Sequence, residues 1–230
     1  MQPQIDNIDD SVDIVIATLG GNNAAFSDII KSCFAPSISL LTSDCEDVCG
    51  SSKRYLEGQL TSKECSDISN TKWDTSCSFE DDYIRILEKI TSKMKEGSKV
   101  IISAYPYIAT DTEDEHNQIV RELGYIAIQR QKEAIDYVNT LLHASNRDVE
   151  IILFIDHVKL FAGHEATTSG VPNPEGYLNE FTPSSLLPSV GLSETKLPFG
   201  LSLNRPTVSS PELDLEADEL AQLYHPNRAG

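Results

Sequence analysis

The segment Gly20-Gly21-Asn22-Asn23 carries residue types that could stabilise a developing negative charge. Glycines let backbone N–H groups approach a ligand closely, and an asparagine amide is a neutral donor suited to an oxyanion. The same residues could form a plain turn, and the dinucleotide fingerprint Gly-x-Gly-x-x-Gly is absent. Gly20 and Asn22 are therefore candidates for an oxyanion hole, with the plain turn as the alternative.

His225 is the candidate general base. It is followed by Pro226 and Asn227 near the end of the sequence. A histidine side chain has a reference pKa of about 6.5, so it exchanges protons at neutral pH. The alternative is a surface histidine in a turn at a helix entry. The presence of His225 together with the Gly20 segment favours catalysis more than either motif alone.

Other histidines and acids give no pattern typical of a metal site. Asp156, His157, His164 and Glu165 could be drawn as ligands, but their spacing fits no standard metal motif. We therefore expect no metal and no cofactor.

Clustered cysteines bear on the cellular compartment. Cys45, Cys49, Cys65 and Cys77 lie in a polar stretch, and Cys33 precedes them. Such clustering is typical of a disulfide framework and favours an extracytoplasmic origin. A zinc site is less well supported, because Cys65 and Cys77 form no second closely spaced pair, and free thiols are a further alternative. The odd number leaves one cysteine free or bonded to another molecule.

Hydrophobic periodicity predicts the elements that position these motifs. Apolar runs predict strands at 13–18, 99–104 and 149–155, and apolar stripes predict helices at about 24–33, 79–96 and 113–144. Alternating strands and helices are typical of an α/β fold with a parallel sheet covered on both faces, a three-layer α/β/α sandwich. Ligands bind beyond the carboxyl ends of such strands, where the Gly20 segment lies.

Two long segments lack this periodicity. Residues 35–77 carry the cysteines and predict a disulfide-stapled insertion outside the core layers. Seven of the eleven prolines lie between residues 165 and 211, which predicts an irregular surface loop. The acidic segment 212–223 is a candidate short helix. We expect the whole chain, 1–230, to form a single domain.

Charge and hydropathy exclude several classes of partner. The chain has 36 acidic and 18 basic residues and a formal net charge of -18, which opposes binding to a phosphate backbone. Nucleic acid is therefore not an expected partner. No apolar run reaches the length of about 18 residues typical of a transmembrane helix, and the polar first residues are not a signal peptide.

Four segments together resemble the SGNH hydrolases, the GDSL-type esterases and lipases. They are residues 20–23, Tyr105-Pro106, residues 161–165 and residues 225–230. The resemblance extends over almost the whole chain and is strongest to the secreted esterases and lipases. It implies a flavodoxin-like three-layer fold, secretion, and hydrolysis of a carboxylic ester such as a lipid, an acylated sugar or a simple ester.

The resemblance also implies site residues. Asn22 and the backbone N–H of Gly20 take the oxyanion-hole role, and His225 takes the role of catalytic base. The family's nucleophilic serine lies in a Gly-Asp-Ser block well upstream of the Gly-Gly-Asn segment, and only nineteen residues precede Gly20. Asp10-Ser11 matches that block superficially, but it precedes the first strand, at the end far from the site. We therefore expect the nucleophile to lie outside this chain.

Two further positions depart from the family. Gln222 stands three residues before His225, where the family usually has an acid. A general base needs an acceptor that orients its ring, and a backbone carbonyl, Asp218 or Glu219 could supply it. Asn23 replaces the family's aspartate, and we expect it to organise the turn.

These departures lead to two hypotheses. In the first, the chain is the larger, C-terminal part of an SGNH hydrolase, incomplete at both ends, with an open edge on the strand at 13–18. In the second, it is a catalytically inactive SGNH-like binding module or a truncated pseudo-enzyme. A Gly-Asp-Ser segment encoded upstream would favour the first hypothesis, and a native start at Met1 would favour the second.

Overall fold

The computed structural model describes residues 4–21, 23–34, 44–69, 76–166 and 175–177. Within them, three strands form a parallel sheet in the order β1-β2-β3. The strands are β1 (Ile14–Ala17), β2 (Lys99–Ser103) and β3 (Glu150–Phe154). All three predicted strands and their parallel arrangement are confirmed, with each strand shorter than predicted by a residue at one or both ends.

The described helices connect the strands and pack on one another. They are α1 (Phe26–Ile29), α2 (Cys45–Leu56), α3 (Ser62–Ser69), α4 (Phe79–Thr91) and α5 (Glu115–Ala144). A π-helix (Ile30–Phe34) follows α1 directly, and 3₁₀ helices span Gln4–Asn7 and Asp156–Phe161. The predicted helices at 79–96 and 113–144 are confirmed as α4, which ends five residues earlier than predicted, and α5, which begins two residues later. None of the helices in this part of the chain combines the length and the apolar character needed to cross a bilayer.

Side-chain caps fix where the two long helices begin. The Ser78 hydroxyl accepts a hydrogen bond from the Asp81 N–H at 3.4 Å at the start of α4. The Asp114 carboxylate accepts one from the Asn117 N–H at 3.0 Å at the start of α5. Each cap satisfies an N–H group that has no partner within its own helix.

One face of the sheet forms the core. Val100, Ile102 and Ile151 point towards the helices and are almost fully buried. Leu87 of α4 and Val138 of α5 belong to the same hydrophobic cluster. Burial of these aliphatic side chains is the main source of stability for this layer.

The opposite face of the sheet is uncovered in the described part of the chain. Ile16 is 73% exposed, and Ile14, Ile152 and Phe154 are exposed as well. Cover on both faces was expected, so the described helices supply only one of the two predicted outer layers. As expected, β1 is an edge strand of the sheet that these residues form.

The prediction that residues 35–77 lie outside the core layers is wrong for the part that is described. Helix α2 belongs to this segment, and its Cys49, Tyr55 and Leu56 are buried in the main hydrophobic cluster. Its buried positions have helical spacing, but two of them are cysteines and one is Ser52, which do not register as an apolar stripe. The proline-rich segment lies mostly outside the described residues, and segment 212–223 lies wholly outside them.

The cysteines form a disulfide framework, as predicted. Cys33 is bonded to Cys45, and Cys65 is bonded to Cys77. Cys49 is a buried thiol, with its Sγ 3.6 Å from the Sγ of Cys33. Burial raises the pKa of Cys49 to about 12, so this thiol stays protonated at neutral pH.

Candidate active site

The Gly20 turn lies at the carboxyl end of β1. Gly20 has a φ of +99°, and a Cβ atom there would be 2.9 Å from the Phe79 ring, so only glycine fits without strain. The carbonyl of Gly20 accepts a hydrogen bond from Ala24 N–H at 3.0 Å, and that of Gly21 accepts one from Phe26 N–H at 3.1 Å. No acceptor for the Gly20 N–H is found in the described residues.

Tyr105 brings the end of β2 to the same place. A Cβ atom on Gly21 would lie 2.8 Å from the Tyr105 hydroxyl, and the Tyr105 ring stacks on Phe26 with centroids 5.9 Å apart. Burial raises the pKa of Tyr105, so its hydroxyl stays protonated at neutral pH. The carboxyl ends of β1 and β2 therefore meet, as the parallel sheet predicts.

A buried polar network anchors the turn to α2 and α4. Asn23 Nδ2 lies 3.5 Å from the Tyr55 hydroxyl, which donates to Asp82 Oδ2 at 2.5 Å. Asp82 Oδ1 accepts from Ser76 N–H at 2.7 Å and from the Arg85 guanidinium at 2.9 Å. Burial is the main cause that raises the pKa of Tyr55, with its hydrogen bond to Asp82 second.

Sequence reasoning missed both Tyr55 and Asp82. Asp82 looked like one of several acids in the first turn of α4, yet it is only 2% exposed. Its position beside Tyr83 and three residues after Phe79 places it on the apolar side of the helix, and this is the signal that could have identified it.

An apolar pocket opens beside the Gly20 turn. It encloses about 660 Å³ of empty space, including the part open to solvent at its mouth. The described residues that line it come from the turns after β1 and β2 and from α1, α2, α4 and α5: Leu19, Gly20, Gly21, Ala24, Phe26, Ile29, Ser52, Leu56, Phe79, Tyr105, Pro106, Ile108, Val120, Leu123, Gly124, Ala127, Ile128 and Gln131.

The lining of the pocket determines which ligands it suits. Its described residues include no charged side chain, and most are apolar. The Gly20 N–H, which has no acceptor among the described residues, lies among them. This combination suits a ligand with a polar, neutral group at the turn and an apolar chain in the pocket.

Asn22 and His225 lie outside the described residues, as do Gln222, Asp218 and Glu219. Of the three predicted site residues, the structure describes Gly20, at the carboxyl end of β1. The roles of all three remain predictions.

Ser11 lies at the opposite end of the sheet from the Gly20 turn. It precedes the amino end of β1, and its N–H and hydroxyl both donate to Asp9 Oδ1, at 2.9 Å and 2.5 Å. The full length of β1 separates it from Gly20. This position is the one expected from the sequence, and it cannot deliver a nucleophile to the turn.

His164 and Glu165 have structural partners of their own. The His164 ring stacks on Tyr177 with centroids 3.8 Å apart. The buried Glu165 accepts hydrogen bonds from Arg121 at 3.1 Å and from the Gly163 N–H at 2.7 Å. These contacts hold the segment after β3 against α5.

Two solved structures resemble this chain in fold. One is the crystal structure of an extracellular lipase from Streptomyces rimosus, with a TM-score of 0.50 and 14% identity, covering 78% of this chain and 62% of the lipase chain. The chain has an SGNH hydrolase fold. The other is phospholipase A1 from Streptomyces albidoflavus, with a TM-score of 0.47 and 15% identity, covering 78% of this chain and 61% of that chain.

The chain thus spans about three fifths of the length of each of these two proteins. No protein-family profile matches the sequence, and no curated protein matches it either. The Gly20 turn and the apolar pocket lie at the carboxyl ends of the strands, where ligands of α/β proteins bind.

Proposed function

We propose that this chain supplies the oxyanion hole and the general base of a secreted carboxylic ester hydrolase of the lipase or esterase type. The observation that carries the proposal is the Gly20 turn, whose N–H has no acceptor among the described residues and lies beside an apolar pocket. The SGNH fold supports it, since one solved structure with this fold is an extracellular lipase. The two disulfides support secretion, because such bonds persist in oxidising compartments.

In the proposed mechanism, a serine hydroxyl attacks the ester carbonyl carbon and His225 accepts the hydroxyl proton. The carbonyl oxygen becomes an oxyanion, which the Gly20 N–H and the Asn22 amide stabilise by hydrogen bonds. His225 returns the proton to the leaving alcohol, and a water molecule then releases the acyl group by the same steps. The serine comes from outside these 230 residues.

Intact mass and N-terminal sequencing of the native protein test the origin of the nucleophile. A mass well above 25.4 kDa with a Gly-Asp-Ser segment ahead of Met1 is the expected result. The 230-residue chain alone should then hydrolyse short-chain nitrophenyl esters no faster than buffer. A native chain that begins at Met1 would contradict the proposal and favour the inactive binding module.

Substitution of His225 tests the base in the native protein. His225→Ala should reduce kcat by at least about 10²-fold, the size of a general acid–base contribution. His143→Ala is the matched control, because His143 is exposed on α5 and should leave kcat unchanged. Equal activity in the two variants would remove His225 from the site.

A further inference from the structure

Ser52 is a buried hydroxyl that lacks a hydrogen-bond partner. It lies on α2, it is 3% exposed, and it lines the apolar pocket. Its Oγ atom has no partner among the described residues. Buried hydroxyl groups in proteins are nearly always hydrogen-bonded, because leaving one unpaired in an apolar environment is unfavourable. Ser52 therefore needs a partner that the described protein residues do not supply.

Other hydroxyl side chains in the helices donate hydrogen bonds to backbone carbonyls, and Ser52 does not. Thr91 in α4 donates to the Leu87 carbonyl at 2.9 Å, and Thr140 in α5 donates to the Asp136 carbonyl at 2.8 Å. Each bond reaches back one helical turn, which is the usual way for a helical serine or threonine to satisfy its hydroxyl. Ser52 forms no such bond, so its hydroxyl remains available to the pocket.

Gln131, another buried polar side chain in the pocket lining, already has a hydrogen-bond partner. Gln131 is 2% exposed, and its Nε2 donates to the Leu19 carbonyl at 3.0 Å. This bond holds α5 against the segment that leads into the Gly20 turn. Ser52 thus stands out as a polar group in the pocket wall whose hydrogen-bonding capacity is unused by the described residues.

We propose that the pocket takes the acyl chain of an ester that carries an oxygen atom along the chain, and that Ser52 hydrogen-bonds to this oxygen. That the ligand is an acyl chain rests on the proposed function, since the pocket adjoins the predicted oxyanion turn. Ser52 can both donate and accept, so a hydroxyl or a keto oxygen would suit it equally. The substrate class is therefore an ester of a hydroxy- or oxo-substituted aliphatic acid.

The chemistry of the rest of the lining agrees with this class. Leu56, Leu123 and Ile128 offer aliphatic surface for the methylene groups of the chain. The absence of charged residues from the described lining disfavours a carboxylate inside the pocket, so the buried part of the ligand is neutral. The Ser52 hydroxyl in such a wall discriminates between an unsubstituted chain and an oxygen-bearing one, because only the latter satisfies Ser52.

Binding to the 230-residue chain tests this inference without any turnover. The probes are the methyl esters of octanoic acid and of hydroxyoctanoic acids with the hydroxyl at successive carbon atoms, and calorimetry gives their dissociation constants. We expect one hydroxylated ester to bind about three- to tenfold more tightly than methyl octanoate, as one additional hydrogen bond would allow. No preference for any hydroxylated ester would overturn the proposal.

Three variants connect the preference to Ser52 and to the pocket. Ser52→Ala should abolish the preference while retaining binding of methyl octanoate. Ser51→Ala, the same change at the exposed neighbouring position, should leave the preference intact. Ala127→Phe should weaken binding of every ester, because it fills the pocket. A preference that survives in Ser52→Ala, or binding that is unchanged in Ala127→Phe, would contradict the assignment.

These outcomes are separate from those of the esterase proposal. If the native protein hydrolyses esters but the chain shows no hydroxyl preference, only the role of Ser52 fails. If the preference is found but the native protein has no catalytic serine, the pocket is that of a binding module and the hydrolase proposal fails.

Discussion

The two ends of the sheet use similar residue types in opposite ways. At the carboxyl end, Asp82 and Tyr55 are buried and hydrogen-bonded behind the Gly20 turn. At the amino end, the side chains of Asp9 and Ser11 are exposed and hydrogen-bond to each other. An aspartate close to a hydroxyl is therefore no evidence of function by itself. Burial and a neighbouring pocket distinguish the end of the sheet where chemistry is plausible.

The electrostatic partners at the two ends differ in the same way. Around the amino end, Lys99 pairs with Glu150 at 2.9 Å and Lys95 pairs with Asp13 at 2.5 Å, and all four side chains are well exposed. Water screens such pairs, so they contribute little to stability. At the carboxyl end, the Asp82 carboxylate is withdrawn from water, and each lost contact with it is costly.

Removal of the Asp82 carboxylate should have the largest effect. Asp82→Ala leaves the Tyr55 hydroxyl and the Ser76 N–H without their acceptor, and each unsatisfied donor costs roughly 1–3 kcal/mol. We expect the free energy of unfolding in urea to fall by about 3 kcal/mol. Asp81→Ala, at the exposed neighbouring position in the same turn, is the control and should be nearly neutral. Similar losses of stability in both variants would mean that burial of Asp82 does not distinguish the carboxyl end of the sheet from the amino end.

A side chain at Gly20 should have the next largest effect. Gly20→Ala places a Cβ atom against the Phe79 ring and forces a non-glycine residue to a φ of +99°, which we expect to cost about 2 kcal/mol. Gly163→Ala is the matched control, since Gly163 has a φ of +84° but nothing within 4 Å of its Cβ position. The difference between the two free energies of unfolding measures the contact with Phe79. An equal loss of stability in the two variants would show that the Gly20 turn is loosely packed against Phe79.

At the amino end, Glu96 should contribute a smaller and pH-dependent stabilisation. The Asp148 N–H, and secondarily the Arg147 guanidinium, lower the pKa of Glu96 below its usual value. Its contribution is therefore present above the unfolded-state pKa of about 4.3 and is lost as the pH falls through the lower folded-state pKa. Glu96→Gln should destabilise the protein at pH 7 less than Asp82→Ala does. In urea unfolding, the difference in free energy of unfolding between Glu96→Gln and wild type should become smaller as the pH is lowered. A difference that grows in acid would contradict this account.

Ser11 should contribute least of all. Its hydroxyl bonds only to the exposed Asp9 in the described part of the chain, so Ser11→Ala should change the free energy of unfolding by less than about 0.5 kcal/mol. It should also leave the ester hydrolysis of the native protein unchanged. A large loss of hydrolysis would place the nucleophile at the amino end and overturn the contrast between the two ends.

The sequence predicted the features that have a local signal. The strands appeared as apolar runs, α4 and α5 as apolar stripes, and the Gly20 turn as consecutive glycines after a strand. Helix α2 was missed because cysteines and Ser52 occupy its buried face, and residues of these types do not mark a helix in a periodicity analysis. It could not be foreseen either that the described helices cover a single face of the sheet, since Ile14 and Ile16 are residue types typical of a buried strand.

The candidate site was predictable only in part, for a similar reason. Gly20 has a conformational requirement that shows in its residue type. Asp82 and Tyr55 acquire their importance from tertiary contacts, which bring together residues 27 positions apart in the chain. The pocket is likewise assembled from turns and helices that are distant in sequence, so no sequence motif predicts it.

The kcat of Asn22→Ala in the native protein tests the central claim most directly. If Asn22 donates to the oxyanion beside Gly20, kcat for a short-chain ester should fall by about 10²–10³-fold. The exposed Asn7, which precedes β1, supplies the control, and Asn7→Ala should retain full activity. An unchanged kcat in Asn22→Ala would contradict the claim that the turn at the carboxyl end of β1 forms an oxyanion hole.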